Sequence, residues 1–160
     1  MKRKLQIGDE APDFDLTSHS GEKIRLSDFR DKKVTVLYFY PKDDTPGCTA
    51  EACAFRDSYE VFKDAGAEVI GVSSDSLESH KSFAGKYRLP FNLLSDSDGK
   101  LRELYGFQKS LGMPGRVTFI IDKKGIIQHI FSSQMKAKKH VEESLKILKL
   151  LDQFEDSIKL

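Results

Sequence analysis

The order of elements along this chain predicts an α/β domain, a mixed sheet with helices on both faces. Three observations carry that expectation. Val34 to Tyr40 and Val69 to Ser73 are near-continuous apolar runs, as in strands covered on both sides. Stretches with apolar residues at spacings of three and four lie between and after them. The chain then closes with two β-like runs around Asp122-Lys123-Lys124-Gly125, followed by an amphipathic helix.

Taken in order, Phe14-Asp15-Leu16 and Lys23-Ile24-Arg25-Leu26 flank Ser18-His19-Ser20-Gly21 and read as an N-terminal β-hairpin. Val34 to Tyr40 is the central strand. Thr49 to Ala65 is expected to be one helix, with Ala52, Phe55, Tyr59 and Phe62 on its inner face and Gly66 as its stop. Val69 to Ser73 is a second buried strand. Asp75-Ser76-Leu77-Glu78 resembles a capping box opening a helix to about Tyr87. Leu93-Leu94-Ser95 is a short strand, and Ser97-Asp98-Gly99 starts a short helix to Tyr105. Val117 to Ile121 and Ile126 to Phe131 form the closing hairpin. The last helix runs from about Ala137 to Phe154 with Val141, Leu145, Leu148 and Leu151 on one face. Other α/β sandwiches of this size share such periodicity; a thioredoxin-like fold fits the order.

The 160 residues make one domain, with enough apolar content (39%) for a core and 32% charged residues. A net charge of +1 gives no electrostatic case for nucleic acid or an anionic membrane. Met1-Lys2-Arg3-Lys4 is basic, but no apolar signal-peptide segment follows, and Val34 to Tyr40 is too short to span a bilayer. Two cysteines cannot staple a secreted scaffold, so a reducing, cytoplasmic compartment is expected, or an organelle if a targeting segment has been removed. His19, His80, His129 and His140 are scattered, none at metal-ligand spacing to the cysteines, so surface or structural roles and no metal are expected. Lys136, Lys138 and Lys139 read as a solvated helix start.

Cys48 closes the run Pro41-Lys42-Asp43-Asp44-Thr45-Pro46-Gly47-Cys48, between the central strand and a helix, and Cys53 is the only other cysteine. A helix N-terminus can stabilise a thiolate there. The pattern P-x-x-x-T-x-x-C resembles the active-site loop of peroxiredoxins, and the C-x-x-x-x-C spacing is similar to the Q-type, or bacterioferritin-comigratory-protein, branch. Gly8 to Phe14, Leu89 to Asp96 and Pro114 to Asp122 also resemble family motifs, in the right order. The resemblance implies a thioredoxin-like fold and a thiol-dependent peroxidase without haem, flavin or metal. Cys48 would be the peroxidatic and Cys53 the resolving cysteine, with Pro41, Thr45 and Arg116 around the sulfur. Thioredoxin or a similar dithiol protein would be the reductant. A resolving cysteine on the same chain removes the chemical need for a dimer, so a monomer is expected.

The chemistry sets requirements of its own. Lowering a thiol's pKa from roughly 8.5 to about 6 raises its ionised fraction at pH 7 about thirtyfold. Its nucleophilicity falls roughly tenfold, so the net gain is only a few-fold. Donors aimed at the transition state must supply the rest. The Arg116 guanidinium, the Thr45 hydroxyl and the Cys48 backbone N–H are the candidates, with Pro41 shielding the sulfur. On one continuous helix, Cα atoms five residues apart lie roughly 8.6 Å from each other and about 140° around the axis. A disulfide needs less than about 7 Å, so a Cys48–Cys53 bridge demands local unwinding. A peroxide sensor that relays its disulfide would use the same residues. A thiol–disulfide oxidoreductase is disfavoured by the spacing, and a plain structural domain with a buried Cys53 predicts ordinary thiol reactivity.

Overall fold

A computed structural model describes residues 5–106 and 115–159. Five strands form the central sheet: β3 (Val34–Phe39), β4 (Ala67–Ser73), β5 (Asn92–Ser95), β6 (Val117–Ile121) and β7 (Ile127–Ser132), in the order β5-β4-β3-β6-β7. Strands β3, β4 and β5 are mutually parallel, while β6 runs antiparallel to β3 and to β7. A separate antiparallel hairpin, β1 (Asp15–Thr17) with β2 (Lys23–Arg25), is joined to β5 through a Ser18–Leu94 bridge. The expected α/β architecture is the observed one.

Alternation along β3 divides the core. Val34, Val36, Tyr38 and Tyr40 face one layer, packing with Phe55, Phe62, Phe83, Val141 and Leu148. These residues belong to α1 (Pro46–Asp57), α2 (Tyr59–Asp64), α3 (Leu77–Tyr87) and α5 (Ala137–Lys159). Leu37 and Phe39 face the other layer, with Ile24 of the hairpin and with Leu101 and Tyr105 of α4 (Lys100–Tyr105). Among the described residues no helix is long and apolar enough to cross a membrane.

Three expectations are corrected. The single helix over Thr49–Ala65 is two: α1 starts earlier, at Pro46, and stops at Ser58, a weak helix former whose backbone sits at φ −103°, ψ 6°. The cap of α3 is Ser76, whose hydroxyl accepts from the Ser79 N–H at 3.1 Å, one residue later than the Asp75–Glu78 box. Asp75 is engaged elsewhere, accepting from the Asp43 N–H at 2.8 Å and the Ser73 hydroxyl at 2.6 Å. The last helix continues to Lys159, past the expected end near Phe154. In the β6–β7 turn, Gly125 takes φ +84°, as the Asp122–Gly125 signal requires. The basic Met1–Lys4 start and Pro114 lie outside the described residues.

Gly71 of β4 sits opposite Tyr38, where an added Cβ would lie 2.8 Å from Leu93 Cδ2 and 2.9 Å from the Tyr38 hydroxyl. Gly71→Ala is expected to cost about 1–3 kcal/mol by overpacking, read as a lower urea midpoint. An unchanged midpoint would show that the Tyr38 layer yields freely.

Candidate active site

The loop between β3 and α1 is pinned by two aspartates. Buried Asp43 accepts from the Tyr40 hydroxyl at 2.6 Å and the Ser79 hydroxyl at 2.8 Å, and meets His80 Nδ1 at 2.7 Å. Asp44, in the left-handed region at φ +55°, accepts from Lys86 Nζ at 2.9 Å and the Tyr87 hydroxyl at 2.8 Å. The loop is thereby fixed to α3. Asp43, Asp75 and His80 place potential ligand atoms within 4.8 Å of one another. Their facing atoms already serve Tyr40, Ser73, Ser79 and the Asp43 N–H, so the cluster works as a strut.

Pro41 is buried at the start of this loop. Thr45 is the N-cap of α1, extended at φ −101°, ψ 156°, and Pro46 holds the first helical position. The Thr45 hydroxyl donates to the Lys42 carbonyl at 2.9 Å, so the expectation that it donates to the reacting oxygens is corrected: its one proton is already used and only its lone pairs are left, to accept. Cys48 is the third residue of α1, and the Thr49 N–H to Thr45 carbonyl contact (2.8 Å) is an early intrahelical bond. The Cys48 N–H therefore belongs to the unpaired first turn of the helix, at the positive end of its dipole.

Arg116 enters from the start of β6 and is buried. Its Nη2 donates to Cys48 Sγ at 3.4 Å, its Nη1 to Glu51 Oε1 at 2.7 Å, and its Nε to the Gln134 carbonyl at 3.3 Å. Gly47 makes this approach feasible, since a Cβ there would sit 2.9 Å from Arg116 Nη2. Burial alone would pull the guanidinium pKa down, but Glu51 and Cys48 outweigh it and hold the group up. Glu51 is fully buried; burial pushes its carboxyl up to about 8 against the downward pull of Arg116. His140, pushed down to about 4 chiefly by burial, lies with Nδ1 3.6 Å from Glu51 Oε2.

Of the expected site residues, the structure brings Cys48, Arg116 and Thr45 to the first turn of α1, with Pro41 at the head of the same loop. Cys53 lies on α1 too, half-buried, and both cysteines are free thiols. Glu51, Gly47 and His140 were not anticipated. Glu51 had a readable signal, being three residues from Cys48 and so on the same helix face. His140 falls in the spacing of Ala137, Val141, Ser144 and Leu148, which are all buried, so it is structural rather than superficial.

Residues 7–130 match the AhpC/TSA family. The chain belongs to the AhpC/TSA family. It is a thiol-dependent peroxidase on a thioredoxin-like fold, as the sequence motifs implied. Chloroplastic peroxiredoxin Q of Triticum aestivum is 53% identical over 150 residues, covering 92% of this chain and 69% of the relative. A cysteine-to-serine mutant of Xylella fastidiosa PrxQ superposes with a TM-score of 0.86 at 33% identity, over 94% of this chain and 99% of that one. The Xanthomonas campestris bacterioferritin comigratory protein, solved in connection with alkyl peroxide reduction, gives 0.82 at 30% identity, over 91% and 96%.

Glu51's carboxyl lies above its ordinary 4.5 in the folded state, so its contribution to stability is complete below about pH 4.5 and is lost as pH rises through about 8. Glu51→Gln has nothing to titrate there. Its urea stability relative to wild type is therefore expected to improve steadily from about pH 5 to about pH 8. A pH-independent difference would contradict a buried proton on Glu51.

Proposed function

We propose that Cys48 is the peroxidatic nucleophile, Cys53 the resolving thiol, and Arg116, Thr45 and Pro41 the groups that make the attack fast. The observation that carries this reading is the buried Arg116 Nη2 contact to Cys48 Sγ, 3.4 Å long, at a helix N-terminus. The thiolate attacks one peroxide oxygen, and the O–O bond breaks with its electron pair leaving on the other oxygen. The peroxide's own proton ends on that leaving group, giving water or an alcohol and leaving the sulfur at the sulfenic level. Arg116 supplies fixed charge and directed donors to the sulfur and the developing oxyanion. The Cys48 N–H adds a third donor. Thr45, its own proton held by the Lys42 carbonyl, accepts the peroxide O–H.

Condensation of the Cys48 sulfenic acid with the Cys53 thiol then releases water and forms a disulfide. Both residues occupy the twelve-residue α1, and Cys48 is only 1% exposed. Both resolution and access by a protein reductant therefore require the start of α1 to unwind. A dithiol protein of the thioredoxin kind would restore both thiols by exchange, becoming a disulfide itself. Since one chain holds both cysteines, the cycle closes within a monomer. It needs a reducing compartment, such as the cytoplasm; the Triticum aestivum relative is named as chloroplastic, which fits the organellar alternative. The alkyl peroxide activity named for the Xanthomonas relative supports organic hydroperoxides alongside hydrogen peroxide as substrates.

Intact mass after one equivalent of hydrogen peroxide tests the assignment. Wild type is expected to lose about two hydrogens within seconds, and Cys53→Ser to gain oxygen on Cys48 instead. No change in mass, or disulfide-linked dimers, would contradict it. Arg116→Lys keeps the charge but not the fork, and is expected to slow Cys48 oxidation by about 10²-fold or more. A full rate in that variant would remove the arginine from the mechanism.

A further inference from the structure

We propose that Asp44 is the latch of the resolution step: held to the end of α3 by Lys86 and Tyr87, it keeps the start of α1 wound, and its release sets how fast the Cys48 sulfenic acid meets Cys53. The inference rests on the roles proposed above for the two cysteines. It starts from how the stretch that carries them is held at each end. Behind it, Phe55 is fully buried, and Arg56 Nη1 donates to the Tyr87 carbonyl at 2.8 Å. Tyr87 is the last residue of α3, so its carbonyl belongs to the unpaired end of that helix, where a cation also meets the negative end of the dipole. Ahead of the stretch, Asp43 is locked in the interior by Tyr40, Ser79 and His80. Asp44 comes next and is exposed. Its Oδ1 accepts from the Tyr87 hydroxyl at 2.8 Å and its Oδ2 from Lys86 Nζ at 2.9 Å. Tyr87 thus meets both flanks of α1, the far one through its carbonyl and the near one through its hydroxyl.

The catch on α3 is firm and the residue it holds is strained. The Tyr87 ring packs edge-on against buried Phe83, with centroids 5.4 Å apart, and Lys86 Nζ lies 5.2 Å from its centre. Asp44 sits at φ +55°, in the left-handed region that favours glycine, and its two bonds to α3 keep it there. Its ion pair with Lys86 is about half exposed on both sides and is therefore weak. Arg116 also holds the first turn, but through Glu51 and the Cys48 sulfur, so its grip changes when the thiolate is oxidised. The Asp44 contacts touch neither cysteine and resist opening before and after oxidation alike. Unwinding has slack, since a wound residue advances about 1.5 Å and an extended one about 3.3 Å. The turns between Asp44 and Arg56 can loop outward while Arg56 stays seated, so the latch, not the Arg56 contact, is what has to let go. Faster release shortens the life of the sulfenic acid. A second peroxide would otherwise convert it to sulfinic acid and water, in place of a disulfide and water.

Quenched-flow oxidation of the reduced full chain by hydrogen peroxide, read as intact mass, separates the steps. Loss of about two hydrogens reports the disulfide, and gain of about two oxygens the sulfinic acid. Tyr87→Phe keeps the ring and the carbonyl and loses only the hydroxyl. Its disulfide is expected to form about two- to tenfold faster than in wild type, with the sulfinic fraction at a given excess of peroxide down in proportion. The rate at which reduced Cys48 is consumed is expected to stay within about twofold of wild type, a split between steps that a general loss of structure would not produce. Lys86→Met is expected to move resolution in the same direction. Asp44→Gly removes the carboxylate and takes the left-handed backbone freely, and on that background Tyr87→Phe is expected to add nothing. The latch is overturned by a resolution rate that Tyr87→Phe leaves unchanged or lowers, or by an acceleration that persists on the Asp44→Gly background. A wild type that forms no Cys48–Cys53 disulfide would instead remove the Cys53 role on which the latch rests.

Discussion

Arg116 ties the sheet to the first two turns of α1 through a single buried guanidinium that meets Cys48, Glu51 and the Gln134 carbonyl. A charge taken that far from water is tolerable only where its donors are used, and removing one partner of such a cluster costs about 3–5 kcal/mol. The surroundings follow from that demand. Gly47 lacks a side chain so that the guanidinium can approach. Glu51 accepts one arm of the fork, and the strand-to-helix junction aims the helix dipole at the same sulfur. Asp43 and Asp44, anchored to α3, keep the preceding loop from drifting.

On the roles proposed for Cys48 and Cys53, the same arrangement creates a conflict that the cycle has to resolve. Attack on peroxide needs Cys48 buried on a wound helix beside Arg116. Resolution needs Cys48 and Cys53 within disulfide reach, which an intact α1 forbids. On the cycle proposed here, conversion of the thiolate to a sulfenic acid weakens its attraction to Arg116 and so loosens the contact that holds the first turn. The far end of α1 is differently held: Phe55 is fully buried, and Arg56 Nη1 donates to the Tyr87 carbonyl, the last residue of α3, at 2.8 Å. On the proposed cycle, opening is confined to the segment that carries the two sulfurs, above a core that stays packed.

Much of this was legible in the sequence because it is locally encoded. The apolar runs of β3 and β4, the Asp122–Gly125 turn and the amphipathic start of α5 each state their own structure. The P-x-x-x-T-x-x-C loop states its family. What was not legible depends on contacts between distant parts of the chain. Nothing near Asp75 indicates that its carboxylate is claimed by the Asp43 N–H, 32 residues away, so the helix cap passes to Ser76. The place of Glu51 on the Cys48 face of the helix could be read from its spacing, but its pairing with Arg116, 65 residues on, could not. His140, flanked by Lys139 and Val141, is buried only because α5 lies across β6, where its Nδ1 meets the Thr118 hydroxyl at 2.8 Å. The break at Ser58 follows a weak local propensity that a continuous apolar spacing conceals.

Hydrogen exchange of the α1 amides in the reduced protein and in its one-equivalent peroxide product tests the central claim most directly. The account predicts slow exchange through α1 when reduced. On oxidation it predicts a loss of protection of at least about tenfold, confined to Thr49 through Ala54, with β3, β4 and β6 unchanged. Equal protection of α1 in both states, in a product whose mass shows the Cys48–Cys53 disulfide, would contradict it.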